Sequence, residues 1–230
     1  MAKDFLLMAA PLEGVSNTQW RARCYSHGAD LTFTEMIRVA NIIRGKKGEK
    51  EKIGMIGEVP TQIQLAGAKL NEYEKYLKSF EPEIGFRGFN LNLGCPSPGF
   101  IMQGCGAAMI KRASRVGEIV KLISDCGFSS SVKLRLGLNK YEKEKGTYLN
   151  LIEKVDASFF VVHARTADQT EKNPADFSVY SKCVKTGKDI VANGDIENKM
   201  QVEKLKNDGL YGAMIGRAAM EDQIIFEKLR

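Results

Sequence analysis

Apolar positions along this chain alternate between short runs of period two and longer stretches with helical spacing. Phe5 to Ala10 is a short apolar strand closed by Pro11, Thr18 to Ser26 reads as a helix, and Leu31 to Thr34 as a second strand. Thr61 to Ala66 follows as a third strand, with a helix around Leu70 to Phe80, and Phe89 to Leu93 is the fourth. Helical spacing then runs from Ala107 to Asp125, and Ser131 to Leu136 is the fifth strand. Tyr148 to Lys154 reads as a helix, Phe159 to His163 as the sixth strand, Asp176 to Lys185 as a helix and Ile190 to Ala192 as the seventh strand. A helix near Lys199 to Asn207, the eighth strand Gly212 to Ile215 and a helix over Met220 to Leu229 close the chain. Eight strands alternating with helices over 230 residues predict a (β/α)8 TIM barrel, a single domain over residues 1–230. The fallback, a doubly wound sheet, favours a GxGxxG turn after the first strand, and Pro11-Leu12-Glu13-Gly14 is not one. Residues 44–58, a mix of Gly, Lys and Glu, read as a loop over the barrel mouth.

The polar positions sharpen this picture. Residues i and i+2 of a strand share a face. Five strands carry a polar pair at that spacing near their carboxyl ends: Gln62 and Gln64, Asn90 and Asn92, Lys133 and Arg135, His163 and Arg165, Asn193 and Asp195. A barrel interior is normally packed with branched apolar residues, and buried polar groups are costly without partners. The pairs therefore point either to a ligand-filled mouth or to a satisfied internal network. Gly216-Arg217 sits where the eighth strand gives way to a helix, beside the Asn193-Gly194-Asp195 loop. Backbone N–H groups at a helix start together with a guanidinium suit a phosphate, and such sites recur after the seventh and eighth strands of this fold.

A cysteine stands at the most unusual position. Phe89 to Leu93 runs into Gly94-Cys95-Pro96, so a thiol is held on a turn at a strand end, and the glycine-rich stretch Gly104-Cys105-Gly106 follows. The other cysteines read as structural: Cys24, Cys126 and Cys183 as small buried hydrophobes and Cys105 as part of the turn. Trp20 reads as helix packing and His27 as a helix-end residue. No CxxC pair occurs among the five scattered cysteines, which leaves zinc and iron–sulfur sites without support. Free thiols and the lack of a signal-like or membrane-length apolar run suggest a reducing cytoplasm. A net charge of +6, concentrated at Arg38, Arg44, Lys46, Lys47, Lys50 and Lys52, makes an anionic partner plausible without naming one.

Laid in order, the motifs resemble those of the tRNA-dihydrouridine synthases. Ala10-Pro11-Leu12-Glu13-Gly14-Val15-Ser16 is similar to the family's APMxGVTD start, and Phe33-Thr34-Glu35-Met36 to its second strand. Gln64-Leu65-Ala66-Gly67 resembles QLxG, Asn90 to Pro96 resembles DxNxGCP, and Val132 to Gly137 resembles VKxRxG. Val162-His163-Ala164-Arg165-Thr166 is similar to VHGRT, and Asn193-Gly194-Asp195-Ile196 and Met214-Ile215-Gly216-Arg217 complete the series. Together they run from Ala10 to about Ala218.

The resemblance implies an FMN-dependent enzyme that reduces uridine in tRNA to 5,6-dihydrouridine with NADPH as electron donor. Pro11, Leu12 and Glu13 would line the flavin ring, and Gln64 and Lys133 would bond its polar edge. His163, Asn193, Gly194, Asp195, Gly216 and Arg217 would lie toward the ribityl chain and phosphate, with Asn92 and Arg135 orienting the uracil. Hydride would pass from flavin N5 to uracil C6, and Cys95 would protonate C5 as general acid, since a thiol of ordinary pKa stays mostly protonated at neutral pH. The base would leave the RNA stack to reach the mouth. Three positions depart from the pattern: Asn90 stands for an acidic residue, and Ala164 and Ala218 stand for glycines. The chain also reaches Arg230 one helix after Gly216-Arg217, so no C-terminal helical tRNA-binding domain is expected within it. A flavin barrel acting on a free small molecule, of the dihydroorotate dehydrogenase type, and a non-catalytic RNA-binding barrel are the alternatives.

Overall fold

The computed structural model describes residues 4–230. Among the described residues nine parallel strands form one sheet: β1 (Leu6–Ala9), β2 (Leu31–Phe33), β3 (Ile37–Arg38), β4 (Thr61–Ala66), β5 (Phe86–Leu93), β6 (Ser130–Leu134), β7 (Phe160–His163), β8 (Ile190–Asn193) and β9 (Gly212–Ile215). Eight of them close into a (β/α)8 barrel, because β1 pairs with both β2 and β9 and β2 pairs directly with β4. The ninth, β3, is a two-residue strand laid against the carboxyl end of β4, with Ile37 opposite Leu65 and Arg38 opposite Ala66. The α-helices of the described residues are α1 (Thr18–Ser26), α2 (Val39–Ile42), α3 (Glu49–Lys52), α4 (Leu70–Lys78), α5 (Pro98–Met102), α6 (Ala113–Asp125), α7 (Lys140–Glu144), α8 (Thr147–Lys154), α9 (Tyr180–Val184), α10 (Lys199–Asn207), α11 (Arg217–Glu221) and α12 (Ile225–Leu229).

The alternation of each strand divides the core in two. Outward residues such as Ile63, Leu65, Phe89, Leu91, Val132 and Leu134 pack under the helices, where α4 contributes Tyr73, Tyr76 and Leu77 and α6 contributes Val116, Ile119, Val120 and Ile123. Phe80, Phe86, Phe89 and Phe128 form a cluster of tilted and edge-on rings within this layer, each pair adding about 0.5–1.5 kcal/mol beyond its buried area. The barrel interior is divided as well. Met8, Ala10, Leu31, Phe33, Phe159, Val161, Val191 and Met214 fill one side with apolar volume. The other side carries Gln62, Gln64, Asn90 and Ser131, all buried.

Several local expectations are corrected. The helix expected over Ala107 to Asp125 starts as a 3-10 turn over Gly106–Lys111 and becomes α6 only after Arg112. The tight turn tucks Ala107 to Ile110 under the end of β5, where the Ala107 N–H donates to the Cys95 carbonyl at 3.0 Å. The closing helix is two short ones, broken where Asp222 takes an extended conformation. β6 stops at Leu134, because Arg135 turns toward the next loop. Residues 44–58 contain α3; Arg21 of α1 donates to the Gly54 carbonyl at 2.5 Å, and Lys52 pairs at 2.6 Å with Glu13 at the carboxyl end of the barrel. Cys24 and Cys183 are buried as read, but Cys126 caps the end of α6 in an exposed position. Trp20 is buried, and His27 ends α1 with Nδ1 2.6 Å from Glu227.

Candidate functional site

The polar pairs sort by depth. Deep in the barrel, Asn90 donates to Ser131 at 2.7 Å and Ser131 donates to Gln62 at 2.5 Å, a closed network with no vacancy for a ligand. One step toward the mouth, Gln64 donates to Asn90 at 2.8 Å while its Oε1 accepts from Asn92 at 2.8 Å. The internal network therefore ends at Gln64 and Asn92. Beyond them, two adjoining cavities open at the carboxyl ends of the strands.

The larger cavity, about 390 Å³, is lined among others by Ala10, Leu12, Arg165, Gly194, Asp195, Gly216 and Arg217. The smaller, about 200 Å³, has Glu13, Met36, Gln64, Asn92, Gly94 and Cys95 in its wall. Pro11, Lys133, Arg135 and His163 line both, so the two are halves of one cleft. The residues that the resemblance assigns to cofactor, uracil or proton transfer all line this cleft, whereas Gln62 and Asn90 of the polar pairs do not. It sits where barrel active sites lie.

Cys95 is held from behind. The Oδ1 of Asn92 accepts the N–H of Gly94 at 3.1 Å and that of Cys95 at 2.9 Å, an Asx-type turn closing the strand end. Gly106 presses on the other side in the left-handed region at φ 57°, and a Cβ there would stand 2.7 Å from the Cys95 carbonyl oxygen. The loop after β5 is thereby fixed between a side chain and a neighbouring backbone.

The floor of the cleft is cationic. Lys133 donates to Asn193 Oδ1 at 2.9 Å, and Asn193 in turn donates to the Met214 carbonyl at 2.9 Å. Burial, with Arg135 beside it, lowers the Lys133 ammonium to about 7. Burial and the charges of Lys133, Arg135, Arg165 and Arg217 push His163 down to about 2, so its imidazole is neutral. Arg165 Nη1 lies 3.3 Å from His163 Nε2. An arginine only donates, so Nε2 accepts and the proton resides on Nδ1. Arg135 donates through Nη1 to the carbonyls of Thr166 at 2.7 Å and Gln169 at 3.1 Å.

Toward the far end, Asp195 gathers two guanidinium groups. Arg165, only 3% exposed, donates to Oδ2 at 2.5 Å, Arg217 pairs with Oδ1, and the Ala175 N–H donates to Oδ2 at 2.9 Å. Burial alone would raise the carboxyl, but these bonds and charges outweigh it and hold Asp195 below the usual carboxylate range. The chain reaches this geometry through Gly194 at φ 114° and Asp195 at φ 51°. A Cβ on Gly194 would lie 3.0 Å from the His163 ring and 3.1 Å from Ala175. Gly216 and Arg217 open α11 on the same wall.

Sequence reasoning missed the loop after β7, where Ala167, Gln169, Thr170 and Glu171 wall the larger cavity. It carries no periodicity; the only signal is Thr166, whose N–H donates to Gln169 Oε1 at 2.8 Å. It also missed Tyr180, whose hydroxyl accepts the Asn193 N–H at 3.0 Å and anchors the end of β8 from outside. Among the described residues no group of three or more His, Cys, Asp or Glu side chains is placed to hold a metal ion.

Comparison with known proteins places the fold and site in context. Over its whole length the chain aligns with the tryptophan synthase α2β2 complex structure from Pyrococcus furiosus, at a TM-score of 0.56 and 11% identity over 96% of that chain, a likeness of fold alone. It is 26% identical over 230 residues to a probable tRNA-dihydrouridine synthase of Aquifex aeolicus, covering 97% of this chain and 72% of the relative. It is 28% identical over 244 residues to a tRNA-dihydrouridine(47) synthase [NAD(P)(+)] of Coprinopsis cinerea, covering 96% of this chain and 35% of that one. The family model described as dihydrouridine synthase (Dus) matches residues 8–230, and the chain belongs to that family.

Proposed function

We propose that this protein reduces uridine to 5,6-dihydrouridine in tRNA, with flavin mononucleotide held in the cleft and NADPH as the electron source. The observation that carries the reading is the cleft itself, which joins a cationic, neutral-imidazole floor to a braced thiol at one end and an arginine–glycine loop at the other. Relatives bear names that state tRNA-dihydrouridine synthase activity and, in one case, an NAD(P)(+) cofactor.

The residues present fit the flavin. The larger cavity, about 390 Å³, is within the usual range for a cofactor site. Its glycine-bearing wall at Gly194 and Gly216, with Arg217 and Arg165 near, suits the phosphate dianion. Pro11, Leu12 and Glu13 supply the wall after β1, Lys133 supplies a donor at the junction of the two halves, and Gln64 lines the smaller half. His163 and Asn193 bound the stretch between. A bound reduced flavin supplies the hydride.

The chain's own residues do the rest. Lys133 places positive charge where anionic character collects, and an anion beside it restores its proton. Asn92 and Arg135 line the smaller half together with Cys95 and orient the uracil there. The Cys95 thiol gives its proton to C5 of the base, forming the C5–H bond as the S–H bond breaks. The thiolate left behind lies in the field of the Arg135 guanidinium and recovers a proton from solvent once product leaves.

The test is mass spectrometry of an unmodified tRNA transcript incubated with the flavin-loaded protein and NADPH. A two-dalton gain at one uridine is expected, with NADPH oxidation stimulated by tRNA but not by orotate or dihydroorotate. Turnover of the free pyrimidine without change in tRNA would overturn the reading.

A further inference from the structure

Two arginines at the rim play no part in the cleft. Arg38 is exposed in β3, and its guanidinium lies 4.2 Å over the ring of Phe100, a buried residue of α5. Met36, two positions earlier and just before β3, lines the cavity that holds Cys95. Arg112 is exposed at the start of α6 and packs against Gly104; a Cβ at that glycine, at φ 69°, would stand 2.9 Å from both of its terminal nitrogens. Both arginines, together with Glu72 and Lys69, act electrostatically on Cys105.

These side chains are positioned without being neutralised. Among the described residues no carboxylate lies within ion-pair distance of Arg38 or Arg112, whereas the nearby Lys69 pairs with Glu72 at 3.6 Å. Phe100 of α5 and Gly104 just after it, their supports, belong to the segment that follows Cys95. A Cβ on Gly106 would touch Cys95 Cβ at 3.1 Å and the Phe100 ring at 3.4 Å, so one glycine separates the arginine's platform from the thiol. Met102, 88% exposed, stands on the same helix as Phe100 and offers an apolar surface between charges.

Two pre-oriented, unpaired guanidinium forks beside a cleft match the geometry of phosphodiester oxygens. A nucleic acid whose base enters such a cleft must carry its backbone across the rim. We propose that Arg38 and Arg112 form a clamp for the RNA backbone phosphates that flank the uridine entering the cleft. The clamp rests on the tRNA reading above and identifies which part of the basic surface carries it.

The test is binding of unmodified tRNA transcript to the full flavin-loaded chain over a range of KCl. Arg38→Gln and Arg112→Gln should each weaken binding roughly three- to tenfold and lower the slope of log K against log[salt] by about 0.7–0.9, the value of one phosphate contact. Arg38→Lys and Arg112→Lys, which keep the charge, should retain the slope, and Lys154→Gln, a control at the far end of α8, should match wild type. In steady state the glutamine variants should raise KM for tRNA with kcat within about twofold and unchanged flavin binding. Wild-type slope and affinity in both glutamine variants would overturn the clamp, as would absence of tRNA binding by the wild-type chain. If binding depends on the arginines but no two-dalton gain ever forms, the reaction fails and the clamp stands. If the gain forms while the slopes are unchanged, the clamp fails and the reaction stands.

Discussion

The side-chain oxygen of Asn92 accepts the backbone N–H of Cys95 at 2.9 Å and that of Gly94 at 3.1 Å, so the residue that ends the interior network also sets the thiol in place. Its amide donates to Gln64 at 2.8 Å, tying the turn to the floor. Asn92→Ala would leave two backbone donors and one buried acceptor without partners. We expect a loss of about 1–3 kcal/mol in stability, read by denaturant unfolding. Product formation should fall by more than the change in flavin affinity, because the displaced group is Cys95. Equal stability and rate would show that the turn holds without its asparagine.

Lys133 titrates near neutrality in the empty cleft, at about 7. An anionic ligand favours the charged form and raises that value, so binding above pH 7 takes up a proton. The affinity for flavin mononucleotide should be flat below about pH 7. It should weaken with rising pH, by up to tenfold per unit, until the bound-state value is reached. Fluorescence titration between pH 6 and 9 measures this, and Lys133→Met should remove the dependence. A constant affinity across the range would place the lysine away from anionic character.

Asp195 joins Arg165 and Arg217, and Arg165 is almost wholly buried. Removing the carboxylate leaves that guanidinium with the Asn173 carbonyl at 2.6 Å and the neutral His163. Asp195→Ala should cost about 3 kcal/mol, the range for a buried charge stripped of its partner. Acid should act in the same direction. The carboxyl sits below its usual value in the folded protein, so its contribution is full above the ordinary carboxylate range and is lost as pH falls through the depressed value. Unfolding curves of wild type and variant should therefore converge as the pH drops.

Much of the barrel was legible because its strands are short and punctuated. Gly and Pro mark their ends, and the period-two pattern of Gln62, Gln64, Asn90 and Asn92 placed polar groups on one face. The pattern could not say which polar groups satisfy each other. Gln62 and Asn90 close on Ser131, which the sequence marks only as the start of a strand, while Gln64 and Asn92 face the cleft. Tertiary contacts decided the misread elements. Helical spacing from Ala107 conceals the 3-10 turn because the Cys95 carbonyl, distant in pattern though near in space, captures the Ala107 N–H. The two-residue β3 exists only because β4 offers it an edge, and no propensity marks it. The loop after β7 has no periodicity to mark it, and its bonds to Arg135 run through the backbone carbonyls of Thr166 and Gln169, which side-chain pattern does not reveal.

The claim that organises the site is that Cys95 supplies a proton in the reduction of uridine, and one variant addresses it directly. Cys95→Ala, loaded with flavin and reduced before mixing with unmodified tRNA, should bind cofactor and RNA as wild type does. In a single turnover followed by mass spectrometry, the two-dalton gain should form about 10²–10⁴-fold more slowly, the usual contribution of a positioned general acid. Formation of dihydrouridine at the wild-type rate in that variant would contradict the assignment.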